Sequence, residues 1–372
     1  MRNAGILLLF AASTAHGSLV GWNSLADLGK SADLVVVADP TSFSQAGNAI
    51  GITMTVSRVL KGDPNLAGTS ISTVWGWPQE SPEGPAVPSA ASIGSGLWFF
   101  SRSANGWQLL PVMQGAIPFG QTFISVPRGP IASAYRYPVT APLNDKIASE
   151  VSAAIESANG GGYPLAGLHR GLLDQLASPV LPVLYRRLAA SASPNARILG
   201  LAGLIREGSA DALSEAMQAP ASLFAGCPLE TGVLTGSIRD DFRAVDKKSI
   251  AVLGQAAVES GGAFREVAAF ALRSIHTVDA LPYLAALMDD ADPKLRAEGI
   301  GGFSAFANGL PVQTPAGVPS LAHLQMPATA VYKTPETMAN FAMGEAASRN
   351  EAKLLAFWKG WWMENRAALA GH

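Results

Sequence analysis

The chain has 372 residues, 48% of them hydrophobic and only 15% charged, with 26 Lys and Arg against 28 Asp and Glu. At ~150 residues per domain this length predicts two or three domains, and the apolar content excludes intrinsic disorder for the bulk of the chain. Charge is balanced along the length, six basic against six acidic residues over Ser18–Thr140 and 19 against 22 over Ala141–His372, so neither part can neutralise many phosphates and nucleic acid is excluded as a partner.

Arg2 precedes an apolar run from Gly5 to Ala12, and Ser13, Thr14 and Ala15 follow it. These are the charged, apolar and small-residue zones of a secretory signal. Residues 1–15 are therefore expected to be removed, with cleavage after Gly17 as the alternative, and the mature chain to be exported to the periplasm or medium. The run is too short to cross a bilayer, and no later stretch approaches the ~20 apolar residues a transmembrane helix needs. Cys227 is the single cysteine, so no disulfide can form within the chain although export would permit one. Stability is expected to come from burial.

Asp33–Ala38, Ala49–Leu60 and Ser70–Trp75 are rich in β-branched residues, and the second alternates Ile50, Ile52, Met54 and Val56 on one face. All three predict strands. Lys61, Gly62, Asp63, Pro64 and Asn65 supply a turn between them. Leu97–Phe100 and Trp107–Val112 flank Ser103–Gly106 as the arms of a hairpin. Short strands without intervening helices predict a small closed barrel or sandwich over residues 18–140.

Ala32–Val37 and Val56–Gly62 resemble a barrel module of exported bacterial proteins that is distantly similar to the oligonucleotide/oligosaccharide-binding (OB) barrel of tissue inhibitors of metalloproteinases and netrins. The inhibitors' N-terminal zinc-chelating cysteine and disulfides are missing here, so the resemblance implies the fold and not protease inhibition. Between Gly76 and Gly96 lies a long loop carrying Pro78, Pro82, Pro85 and Pro88, with Trp75 and Trp77 at its root. Those two rings either close the end of the barrel or form a stacking platform for a peptide or glycan, and they are the candidate binding residues of the first domain.

Beyond a linker expected near Tyr137–Pro142, Ile147, Val151 and Ile155 mark one face of a helix over Leu143–Ala158, which Asn159 and the glycines after it should stop. The chain then repeats itself. Leu181 and Pro182 recur as Leu281 and Pro282, an offset of 100, while Pro194 and Arg197 recur as Pro293 and Arg296, an offset of 99. Ser209–Leu213 matches Thr277–Leu281 at an offset of 68. Offsets near two and three times ~33 predict a solenoid of helix pairs. Phe264, Val267, Ala268, Ala271, Leu272 and Ile275 form a broad apolar stripe for a helix packed on both sides. Asp292 is placed to cap the next helix, and Pro293 stands in its first turn.

The Asp/Ser-Pro-x-x-Arg helix start, the Ala-rich helix and the Leu-Pro-x-Leu helix resemble HEAT repeats of the short type named after phycobilisome lyases, over about Leu165–Asn308 with a degenerate stretch from Pro220 to Gly262. The resemblance implies that Arg197 and Arg296 are structural, bonding to backbone or carboxylate groups of a neighbouring repeat. It implies a scaffold or partner-binding surface and not lyase chemistry.

After a loop over 311–333, residues 334–372 are expected to cap the 141–310 solenoid. Ser348 and Glu351 have capping-box spacing, and Leu354, Trp358, Trp361 and Trp362 share one side of the helix that follows. Terminal repeats must hide an apolar face, so these tryptophans are expected to be buried, an exposed recognition helix being the alternative.

The five histidines, at 16, 169, 276, 323 and 372, form no pair with metal-ligand spacing. Cys227 fits no nucleophile pattern, Asp240 with Asp241 and Asp289 with Asp290 read as solvated helix ends, and no phosphate loop or nucleophile elbow occurs. No catalytic, cofactor or metal residue is expected. The sequence thus predicts an exported, non-enzymatic adaptor binding a protein or cell-envelope component through its helical repeats. An extracytoplasmic hydrolase with its site between barrel and solenoid is the alternative.

Overall fold

The structure, a computed structural model, describes residues 25–46, 49–76, 95–104, 106–110, 124–125, 131–157, 173, 176–218, 228–239, 246–259, 264–307 and 345–369. The expected signal at 1–15 and the loop at 311–333 lie outside these residues. The architecture is mixed β plus α, and the chain divides into two compact units, Met1–Leu184 and Tyr185–His372.

The first unit contains α1 (Leu25–Ser31), β1 (Leu34–Ala46), β2 (Ala49–Lys61), β3 (Ser70–Gly76), β4 (Gly96–Ser103), β5 (Gly106–Leu109), β6 (Ile124–Ser125) and α2 (Leu143–Ser157). The strands form one antiparallel sheet in the order β3-β2-β1-β4-β5, with β6 on β4. The three expected strands and the hairpin are present. β1 runs past Ala38 to Ala46, and its pairing with β2 shifts register between Pro40 and Ser42. A proline without a donor is accommodated at such an irregularity. Leu34, Val36 and Ala38 pack with Ile52, Met54, Val56, Ile71, Trp98 and Phe100 in the core. Gly62 turns the chain out of β2 at φ 111°, and a methyl group there would lie 2.8 Å from Leu34 Cδ1, so both conformation and space require glycine.

The expected closed barrel is not what the backbone forms. β3 and β5 are the two ends of the sheet, and no ladder joins them among the described residues. They meet through the Leu109 N–H, which donates to Thr73 Oγ1 at 3.1 Å. β5 is only four residues long and all four pair with β4.

The first unit also keeps α2, which the sequence had assigned to the solenoid at 141–310. Ile147 and Val151 are fully buried and Ile155 nearly so. The Lys146 ammonium donates to the Leu60 carbonyl of β2 at 3.3 Å.

In the second unit α3 (Leu181–Ala189, entering it at Tyr185) is followed by α4 (Pro194–Arg206), α5 (Ala210–Gln218), α6 (Pro228–Arg239), α7 (Lys247–Val258), α8 (Arg265–Ser274), α9 (Leu281–Leu287), α10 (Pro293–Ala307) and α11 (Glu345–Leu369). The helices alternate between two rows. α4, α6, α8 and α10 pack in succession, while α5, α7 and α9 follow one another beside them. The degenerate stretch thus holds α6 and α7 as regular members of the rows.

Packing repeats with the sequence. A methyl group at Gly200 would lie 2.2 Å from Ala189 N and 2.6 Å from Tyr185 O, and one at Gly299 would lie 3.2 Å from Met288 N and 2.7 Å from Leu284 O. Gly203 likewise faces the Tyr185 ring at 2.4 Å where Gly302 faces Leu284 Cδ1 at 2.6 Å. Every correspondent differs by 99 in number. Two further pairs, α5 with α6 and α7 with α8, stand between these copies, which makes three unequal steps that average 33 residues. The Leu-Pro dipeptides, offset by 100, are one residue out of this packing register.

Phe264, Ala268, Ala271, Leu272 and Ile275 of the expected stripe are buried and Val267 is half-buried. α11 begins at Glu345, so Ser348 lies inside the helix and does not cap it.

Candidate functional site

Trp75 lies on β3 with its backbone opposite Ile50. Its ring, and the whole of Trp77, fall outside the described residues.

The repeat residues occupy equivalent places with different partners. Pro194 and Pro293 each open a helix, and Asp292 Oδ1 accepts the Lys294 N–H at 2.9 Å. Arg197 on α4 reaches Glu215 on α5, its Nη2 lying 2.6 Å from Oε1. Arg296 on α10 donates through Nη1 to the Asp290 and Ala291 carbonyls at 2.9 and 2.8 Å, and through Nε to Glu351 on α11 at 2.7 Å.

That last bond joins α10 to α11. Trp358 is fully buried and Trp361 is 4% exposed. Their ring centroids lie 6.1 and 5.9 Å from Phe303, Trp361 also meets Phe306 at 6.5 Å, and half-buried Trp362 meets Phe303 edge-on at 5.8 Å. Glu351 faces Arg296, Trp358 faces Phe303 and Trp361 faces Phe306, a constant separation in one direction. α11 therefore runs parallel to α10, as the next member of its row. Geometry of this kind places all three indoles in packing.

Sequence reasoning missed a buried clasp in the first unit. Glu150 of α2 is fully buried and accepts Arg58 Nε and Nη2 of β2 at 2.8 Å each, a bidentate pair. The Tyr137 hydroxyl donates to the same carboxylate at 2.6 Å. Burial, with help from Glu150, pushes the Tyr137 hydroxyl well above its ordinary range. The available signal was position: Glu150 falls between Ile147 and Val151, inside the apolar face, where an acid needs a partner.

Among the described residues of the second unit, two of the hollows are framed by its helices. The larger, about 530 Å³, is framed by α3, α4 and α5 and carries Arg186, Ser191, Arg197, Ser209, Asp211 and Glu215. The smaller, about 330 Å³, lies between α8 and α10 over Val267, Phe270 and Leu295. At its edge burial raises the Glu298 carboxyl above the ordinary carboxylate range, against the opposing pull of Arg273 at 3.0 Å.

Among the described residues no three His, Cys, Asp or Glu side chains converge to hold a metal. Asp290 is engaged by Arg265 and Asp289 by Lys359. Cys227 and the remaining histidines apart from His276 lie outside the described residues, as do Asp240 and Asp241. No described helix is long and apolar enough to cross a membrane.

Comparison of the chain with protein-family models, curated proteins and solved structures finds no match.

Proposed function

We propose that the chain is an exported scaffold in which a rolled, OB-like sheet module precedes a HEAT-like solenoid, and that the solenoid surface binds a protein or cell-envelope partner. One observation carries this reading: the glycine-mediated contacts of α3 with α4 recur between α9 and α10 at a separation of 99, with two further helix pairs between them. Stacks of this kind present long continuous surfaces and contact only their neighbours internally. The two hollows lie on those helix pairs, and their groups suit recognition better than bond-breaking. Residues 1–15 direct the chain out of the cytoplasm in this reading.

The test is cell fractionation followed by chemical cross-linking of the full chain. It should be recovered outside the cytoplasm without residues 1–15, cross-linked to its partner through residues of α3–α10. Recovery of intact Met1 in the cytoplasm, or cross-links confined to the first unit, would overturn the proposal.

A further inference from the structure

We propose that the groove framed by α3, α4 and α5 receives an acidic peptide segment, one of whose carboxylates is held by Arg186. The inference rests on the partner-binding reading and names the chemistry of the partner.

Other charges in the groove are already matched. Arg197 pairs with Glu215 at 2.6 Å, and Asp211 with Lys248 of α7 at 2.6 Å. Arg186 is exposed and, among the described residues, its side chain meets no counter-charge or acceptor, which leaves one positive charge and five N–H donors unmatched there. The serines push the balance the same way. Ser191 Oγ accepts the Ser193 N–H at 3.2 Å and Ser209 Oγ accepts the Ala212 N–H at 3.2 Å, which uses an oxygen lone pair on each and leaves each hydroxyl proton to donate. The lining itself holds two arginines and two carboxylates; with Lys248 set against Asp211 and Arg197 against Glu215, the positive charge of Arg186 is left over, and a carboxylate supplies the opposite charge and acceptor atoms in a geometry that fits a guanidinium. Ala189, Ala190, Leu204 and Ala212 line the remaining wall, giving the peptide's methylene groups an apolar surface.

The experiment measures fluorescence anisotropy of short labelled peptides alternating Glu, Lys or Gln with Ser, titrated with the full chain. The Glu peptide should bind best and weaken with salt. Arg186→Glu should weaken it by about tenfold or more, the effect of losing one charge-assisted pair, and Arg186→Lys should retain part of the affinity. Thermal unfolding should be unchanged in Arg186→Lys and only slightly lowered in Arg186→Glu, where an acid replaces a base in the last turn of α3. Equal binding of the three peptides, no binding of the Glu peptide, or unchanged binding by Arg186→Glu would each overturn the assignment. If solenoid cross-links to a partner persist under any of those results, the scaffold reading stands and only the groove assignment falls.

Discussion

Replacing Gly200 by alanine adds one methyl group on α4 where α3 passes closest. That methyl would meet Ala189 N at 2.2 Å, Tyr185 O at 2.6 Å and Leu188 C at 2.7 Å. All three are backbone atoms, so no rotamer change relieves the clash and the helices must separate. Alanine gains ~1 kcal/mol over glycine in a helix interior, while overpacking a tight contact costs ~1–3 kcal/mol and more when backbone must move. The clash wins, with a net loss of about 2 kcal/mol. At ~2–4 °C per kcal/mol for a unit of this size, the melting temperature of the helical unit should fall by ~4–8 °C. Gly360→Ala supplies the control, because a methyl group there meets nothing within 4 Å and should stabilise by ~0.5–1 kcal/mol. Gly299→Ala, facing Leu284 O at 2.7 Å, should destabilise in the same sense as Gly200→Ala. The losses should add in the double variant, since three repeat steps separate the sites. Urea unfolding followed by far-ultraviolet circular dichroism measures all four. A Gly200→Ala chain as stable as the parent would refute the claim that these glycines set the spacing of the helix pairs.

Trp361→Ala should cost ~3–5 kcal/mol by opening the aromatic cluster, and a loss below about 0.5 kcal/mol in urea titration would show that the ring is not part of a core. Glu150→Ala should cost ~3–5 kcal/mol because Arg58 loses its carboxylate in a partly buried site; a variant that unfolds at the parental urea concentration would contradict the clasp. For Glu298 the folded-state pKa is raised, so its protonated form is favoured by folding, and the associated stability is present below the unfolded carboxyl value and lost as pH rises through the folded one. The stability of the parent relative to Glu298→Gln should accordingly increase as pH is lowered from neutral towards the ordinary Glu range. A difference that shrinks on acidification would refute the sign.

Much of the second unit was legible because its signals are local. Pro194 and Pro293 at helix starts, the Phe264–Ile275 stripe and the spacing of repeated segments each involve a few neighbouring residues, and each marks an element that forms. Between Pro220 and Gly262 the Leu-Pro and Pro-x-x-Arg marks are missing, yet α6 and α7 are held by packing from both sides, which no local pattern records. Glycine spacing in α4 and α10 was visible in the sequence as well, at the true separation of 99, but its meaning needs the facing backbone of α3 and α9. In the first unit the strands were readable and the closure was not. Whether a sheet's edges meet by a ladder depends on the length and tilt of β5 against β3, and here one threonine side chain does what a ladder was expected to do. Of the candidate binding groove, the sequence marks Arg197 as a repeat residue and Ser209–Leu213 as part of a repeated segment. Nothing in it marks Arg186 or Glu215, because which charge lacks a counterpart is a property of the folded neighbourhood.

The pairing pattern also bears on how the chain assembles. Among the described helices α4–α10, Arg197 with Glu215, Lys294 with Glu266 and Arg273 with Glu298 join elements close in sequence, while Arg296 with Glu351 and Asp289 with Lys359 reach further, to α11. In the first unit Leu34 pairs with Phe100, and Arg58 must wait for Glu150. Loop closure over such distances slows folding, whereas neighbour-to-neighbour stacking is fast. During synthesis, β1 and β2 therefore emerge long before the helix that neutralises Arg58 exists, while each later helix pair can settle on its predecessor almost as soon as it appears. By this contact pattern the sheet unit is expected to fold more slowly than the helix pairs α3–α10.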